Sequence, residues 1–255
     1  MLHVETTGSG PDLVLLHGWA MHGGLFAPLV EALRDDWTVH VVDLPGHGRS
    51  RDDDTPLALA PLAGRLLGQL PVAPWLGWSL GGLVALQAAL QAPERVPALL
   101  ALAATPRFVA GAGWPHGVEA AVFDRFGDEL AGDWRGTVER FLALEVVGSR
   151  TAQDDLRHLR AHVFDHGEPA PRVLAEGLAL LSGTDLVGRL PALAVPSLWL
   201  GGRRDRLVPP AALAAAAALA PGGQVRTIAG AGHAPFLHHA GEVAAALAGL
   251  VRAPA

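Results

Sequence analysis

Short apolar runs alternate with longer amphipathic segments along the first hundred residues. Asp12 to Leu16 (DLVLL) is an apolar run that stops at His17-Gly18, which predicts a buried strand. Gly24 to Leu33 carries apolar residues at helical spacing. Trp37 to Val42 is β-rich and ends at the turn signal Asp43-Leu44-Pro45-Gly46. A helix over Leu57 to Leu70, a strand over Val72 to Trp78, a helix over Leu80 to Gln91 and a strand over Pro97 to Ala103 follow. Strands alternating with helices predict a mostly parallel sheet with helices on both faces.

The rhythm then changes. From Phe108 to Gly183 there is no strong buried strand, only helical segments of mixed charge: Val118 to Leu130, Trp134 to Val147, Thr151 to Val163 and Arg172 to Leu181. Alternation resumes with a strand over Val195 to Leu200, a helix in the alanine-rich run Ala211 to Ala220, a strand over Gln224 to Ile228 and a helix within Ala234 to Val251. The pattern predicts an α/β core from residues 1–107 and 184–255, with a helical cap inserted over residues 108–183.

Composition narrows the function classes. A chain of 255 residues, half of it hydrophobic and 17% charged, suits one domain with a full core. No cysteine is present, which excludes disulfides, thiolate catalysis and cysteine metal sites, and fits a cytoplasmic location. Every basic residue is arginine, so Schiff-base chemistry on lysine is excluded. A net charge of −6 argues against nucleic-acid binding. No apolar run long enough to span a membrane and no signal peptide is visible, so a membrane protein is not expected.

The stretch Leu76 to Gly82 (LGWSLGG) places Ser79 between glycines at minus two and plus two, at a predicted strand-to-helix junction. That is the context of a nucleophile elbow. Gly77 and Gly81 make room for the sharp turn, and the helix beginning at Leu80 aims its free N–H groups at the serine. The plain alternative is a serine capping a helix. A serine nucleophile needs a base, and the base an orienting acid, in the chain order serine, acid, histidine. Asp205 follows the strand VPSLWL and is the candidate acid; it could instead pair with Arg203, Arg204 or Arg206. Asp185 is a rival that precedes that strand. His233 follows the last strand and is the candidate base, with His238 and His239 as rivals a turn further on. Two backbone N–H donors, from Leu80 and from Trp19 after the first apolar run, would stabilise an oxyanion. His17 would brace that early loop. Trp19 and Trp78 fit the wall of an acyl pocket and ordinary core packing equally well. His158, His162 and His166 recur every four residues on one predicted helix face. They lack a fixed carboxylate partner, so a solvated face is expected and no metal or cofactor is required. Asp52-Asp53-Asp54 is expected to be a solvated loop.

These motifs, with LVLLHGW (13–19), VDLPGHGRSR (42–51), WLGWSLGGLVA (75–85), PERV (93–96), TVERFLALE (137–145) and GHAPFLHH (232–239), resemble the α/β-hydrolase family. Within it the chain is similar to the carrier-protein methyl ester esterases of biotin synthesis, and TVERFLALE is the specific part. The resemblance implies a triad of Ser79, Asp205 and His233 and an oxyanion hole of Trp19 and Leu80. It implies an acyl channel lined by Phe141, Leu142, Ala143, Leu144 and Glu145. It also implies an acyl-carrier protein bearing a pimeloyl methyl ester as partner, gripped by Arg140, Arg157 and Arg160. Gly136 and Gln153 stand where the family usually has further carrier-gripping arginines, although Arg135 adjoins the first. The same triad would serve small free esters without any carrier. A monomer is expected. Between Arg135 and Arg160 there are five arginines and four acids. Helical spacing could gather Arg150, Arg157 and Arg160 on one face, or Arg150 could pair with Asp154.

Overall fold

The chain begins with a strand that the apolar pattern does not disclose. In the computed structural model, which describes residues 1–252, β1 (His3–Gly8) pairs antiparallel with β3 (Thr38–Asp43). It is an edge strand with half-exposed polar residues, so it carries no apolar run to read. β2 (Asp12–Leu16), β4 (Trp75–Trp78), β5 (Leu99–Leu102), β6 (Ser197–Gly202) and β7 (Gly223–Ile228) complete a seven-stranded sheet in the order β1-β3-β2-β4-β5-β6-β7. All pairings except β1 with β3 are parallel. Every residue of β4, β5 and β6 is buried, which requires cover on both faces. That explains why these segments read as continuous apolar runs.

α1 (Ala27–Leu33) packs on α9 (Ala240–Arg252), and α2 (Leu59–Gln69) packs on α3 (Leu80–Gln91). α3 is apolar all round and buried from Leu80 to Ala89, as expected of a helix under the centre of a sheet. Between β5 and β6 run α4 (Ala120–Leu130), α5 (Trp134–Glu145), α6 (Ala152–His162) and α7 (Pro171–Gly183); α8 (Pro210–Leu219) follows β6. No helix among the described residues is long and apolar enough to cross a membrane.

Local packing sets two boundaries and the burial of one acid. β4 starts at Trp75 rather than Val72, because Pro74 has no N–H for the ladder and Val72 is half-exposed. The last helix starts at Ala240; the residues before it form a short 3₁₀ turn from Pro235 to Leu237 that stays buried. Asp53 is buried, not solvated: Arg65 grips its carboxylate at 2.6 and 2.7 Å, holding its pKa well below the usual carboxylate range.

The sheet order places the loop after β2 and the turn after β4 side by side. β2 has β3 on one side and β4 on the other, so successive connections leave in opposite directions at this point. Such a switch point, at the C-terminal ends of the strands, is where ligands bind in open α/β sheets.

Candidate active site

Ser79 occupies the turn between β4 and α3 with φ +53° and ψ −117°, a strained left-handed conformation for a residue with a side chain. The strain is imposed by tight packing: a Cβ on Gly77 would collide with the Gly81 carbonyl, and one on Gly81 with that of Leu16. The two flanking glycines let the turn close and seat it on β2.

The serine hydroxyl lies 2.9 Å from His233 Nε2, and His233 Nδ1 lies 2.8 Å from Asp205 Oδ2. All three side chains are almost wholly buried. The second oxygen of Asp205 accepts the backbone N–H groups of Leu207 and Val208, both at 2.9 Å. His233 is held by its own backbone, its N–H donating to the Glu145 carbonyl at 3.1 Å and its carbonyl accepting from Trp78 Nε1 at 2.8 Å. Trp78 therefore acts as a brace beneath the histidine. Burial alone would lower the His233 pKa, but the charge and hydrogen bond of Asp205, with Glu145 adding, hold it above its ordinary value. The acid and histidine loops touch directly: the Arg204 N–H donates to the Ala231 carbonyl at 3.0 Å, and Gly202 has no room for a Cβ beside Ala231 and Gly232.

The loop after β2 faces the serine. A Cβ on Gly18 would stand 3.3 Å from Ser79 Cβ. Among the described residues, neither the Trp19 N–H nor the Leu80 N–H donates to any protein group. Two free donors thus flank the serine, in the form an oxyanion requires. His17 supports this loop. Its Nε2 accepts the Leu44 N–H at 2.9 Å, so its Nδ1 carries the proton donated to the Gly18 carbonyl at 2.8 Å. Burial, and then the charge of neighbouring His47, push its pKa down to about 3, so it stays neutral. The Trp19 ring donates to the Leu174 carbonyl at 2.8 Å and stands edge-on to Phe141 at 4.7 Å. Gly177 lies against it, where a Cβ would approach the ring to 2.5 Å. α5 and α7 thus close over the loop.

The rival residues lie elsewhere. Asp185 pairs with Arg107 at 3.0 Å, His238 with Asp155 at 3.0 Å and His239 with Glu242 at 2.8 Å. His158 and His162 stack side by side, whereas His166 turns to the His22 ring and to Arg49.

The TVERFLALE helix distributes its residues by helical period. Phe141, Leu142 and Glu145 are buried, while Ala143 and Leu144 are half-buried and line an outer groove between α4 and α5. Arg140, Arg157 and Arg160 do not form one free patch. Arg140 pairs with Glu129 and Asp133, Arg157 with Asp154 and Arg160 with Glu139. Arg150 precedes α6 and does not pair with Asp154.

Glu145 is buried beside the histidine, and neither carboxyl oxygen has a protein hydrogen-bond partner. The sequence marked its position but gave no sign of this isolation. Burial pushes its pKa up from 4.5 to about 8; His233 opposes the shift and Asp205 adds to it. Between those values the folded protein holds a proton that the unfolded chain has released, so stability falls as pH rises. Urea unfolding from about pH 5 to 7.5 is expected to be less steeply pH-dependent in Glu145→Gln, by about 1.4 kcal/mol per pH unit. His233 contributes its own loss of stability on the alkaline side, but it does so in both proteins. Parallel curves would mean that Glu145 ionises as an ordinary carboxyl.

A parallel sheet with a strained serine turn at its switch point, and acid and histidine loops at the ends of later strands, defines an α/β hydrolase. The chain belongs to that family: the family model described as alpha/beta hydrolase fold matches residues 11–240. At 61% identity over 96% of this chain and 95% of its own length, it is similar to a protein of Stenotrophomonas maltophilia named pimeloyl-[acyl-carrier protein] methyl ester esterase. A protein of the same name from Xanthomonas oryzae is 57% identical over 96% of this chain and 97% of its own. Among solved structures, an enol-lactonase from Burkholderia xenovorans superposes with a TM-score of 0.85 at 20% identity, covering 99% of this chain and 96% of that one. An esterase from Exiguobacterium antarcticum gives 0.83 at 22% identity, covering 99% and 96%. At those identities they bear on the fold alone.

Proposed function

We propose that this chain is a serine carboxylesterase that hydrolyses the methyl ester of a pimeloyl group carried on acyl-carrier protein. The products are the free terminal carboxylate and methanol, as in biotin synthesis. The observation that carries the chemistry is the continuous relay from Ser79 through His233 to Asp205, with each gap below 3 Å. The names of relatives 57–61% identical over nearly the whole chain support the substrate.

In this reading Ser79 attacks the ester carbonyl while His233 Nε2 takes its proton. The carbonyl oxygen, now an oxyanion, accepts the N–H groups of Trp19 and Leu80. Asp205 stabilises the imidazolium and fixes its orientation. The tetrahedral intermediate collapses, His233 returns the proton, and methanol leaves an acyl-serine. Water then attacks with His233 again as base, releasing the acid and the serine hydroxyl. Residues 108–183 act as a cap over the acyl chain, with Phe141 and Glu145 on its inner side. Arg140, Arg157 and Arg160 are candidates for carrier contact, because exposed ion pairs contribute about 0–1 kcal/mol and exchange partners readily.

The experiment is methanol release from pimeloyl-carrier-protein methyl ester against release from free dimethyl pimelate. We expect kcat/KM at least about tenfold higher for the carrier-bound ester, since a docked partner adds binding energy that the free ester lacks. Equal values would leave a general carboxylesterase.

A further inference from the structure

The arginine side chains around Asp205 make no hydrogen bond to the relay, yet their charges are arranged. Arg203, Arg204 and Arg206 are exposed on the loop after β6, and Arg150 is exposed at the end of the α5–α6 connection. The fold brings these segments together. The Arg204 guanidinium donates to the Gly148 carbonyl at 3.3 Å, and the Arg150 N–H donates to the Gly230 carbonyl at 2.9 Å in the histidine loop. A cavity of about 400 Å³ lies among Gly148, Arg203, Arg204, Arg206 and the two prolines Pro209 and Pro210, with the buried Asp205 also lining it.

Among the described residues none of these four arginines has a carboxylate within 4.0 Å, whereas Arg135, Arg140, Arg157 and Arg160 on the cap are paired and Arg125 on α4 is likewise unpaired. The chain has 25 acidic residues against 19 basic ones, so uncompensated positive charge is a matter of placement, not composition. Like charges on adjoining loops repel one another and weaken the fold that gathers them. Next to this collar, Val147 is 47% exposed at the end of an apolar groove between α4 and α5. The collar also sits on the outer side of the loops that carry Asp205 and His233, so a partner held there lies close to the site.

The geometry points to the collar of Arg150, Arg203, Arg204 and Arg206 as the docking surface for an acidic protein that presents the acyl ester. It rests on the carrier-bound substrate argued above and deepens it: the uncompensated charge for the carrier lies on the acid-loop side, beside the cap arginines and apart from them. Carboxylates of the partner would meet the guanidinium groups, and an apolar side chain would rest near Val147. Attraction of this kind acts on encounter and KM, weakens with salt over a screening length of about 8–10 Å, and leaves the chemical step alone.

The test uses the full-length protein carrying Arg150→Glu with Arg203→Glu. These side chains make no hydrogen bond to the relay and lie outside it. With carrier-bound ester at low ionic strength, KM is expected to rise at least about tenfold, with kcat changed less than about twofold. The difference should shrink toward that of wild type as salt is raised, and rates on free dimethyl pimelate should not change. Arg157→Glu, with its charge already paired, is expected to raise KM by a smaller factor. An unchanged KM for the carrier-bound ester overturns the proposal. So does an equal fall on both substrates, which would make these arginines supports of the acid loop. The substrate reading fails separately, if wild type shows no preference for the carrier-bound ester.

Discussion

Replacing Ser79 by alanine is expected to lower kcat on any ester by about 10⁵-fold while leaving the protein folded, because the nucleophile leaves and nothing else moves. The hydroxyl's hydrogen-bond partner is His233, at the end of a relay whose other members are anchored independently. Serine and alanine both carry a Cβ, so the substitution adds no new strain at the turn, and Ala20 and Ala103 in this same chain adopt a positive φ of +61° and +45°. An unchanged cooperative melt should therefore accompany the loss of activity. Labelling by a fluorophosphonate should disappear in the same variant. The double variant Ser79→Ala/His233→Ala should be no slower than the single one, since residues that act as a unit are lost together. A Ser79→Ala rate within tenfold of wild type would take Ser79 out of the chemistry.

How much of this was legible in the sequence follows from where each residue sits. Ser79 and Asp205 follow buried apolar strands and His233 follows the more polar last strand, and a parallel sheet brings the C-terminal ends of its strands to one edge. A serine more than a hundred positions from the acid and the histidine could thus be placed with them from the strand pattern alone. Two glycines were legible for a related reason: Gly77 and Gly81 stand where one backbone crosses another at contact distance. Features that depend on side-chain packing were not. β1 is polar and pairs only because β3 offers it an edge. Asp53 looked like part of a solvated acidic run, but Arg65 reaches it from α2 and draws it in.

The two least legible features are electrostatic, and both arise where loops from distant parts of the chain meet. Glu145 lies in a helical stretch that the family resemblance places along the acyl channel. The resemblance says nothing of whether a partner waits inside, and none does. The arginines before and after Asp205 read as partners for that acid. The fold instead turns Asp205 inward to His233 and two backbone donors, leaving the guanidinium groups outside with Arg150. Burying the acid and exposing its neighbours leaves the carboxylate facing His233 and the surface above it positive.

Asp205→Asn is expected to lower kcat by about 10⁴-fold, although the substitution is nearly isosteric, because it reverses the proton arrangement of His233. The argument depends on which way the new amide must face. Oδ1 of Asp205 accepts two backbone N–H groups, from Leu207 and Val208, each at 2.9 Å. An asparagine has one oxygen, and only that oxygen can accept them. Its NH₂ group is therefore turned toward His233 Nδ1, the position held by Oδ2 at 2.8 Å in the native protein. An NH₂ donor there requires Nδ1 to be the acceptor, so the ring proton moves to Nε2. Nε2–H then points at Ser79 Oγ and cannot receive its proton. The base is lost without a change of shape. Asp205→Ala removes the orienting group but imposes no tautomer, so it is expected to keep more activity than Asp205→Asn under the same conditions. Comparing the two variants on free dimethyl pimelate separates the tautomer from the charge. Both variants lack the charge, so if the alanine variant is the slower, holding the imidazole in place outweighs control of its proton.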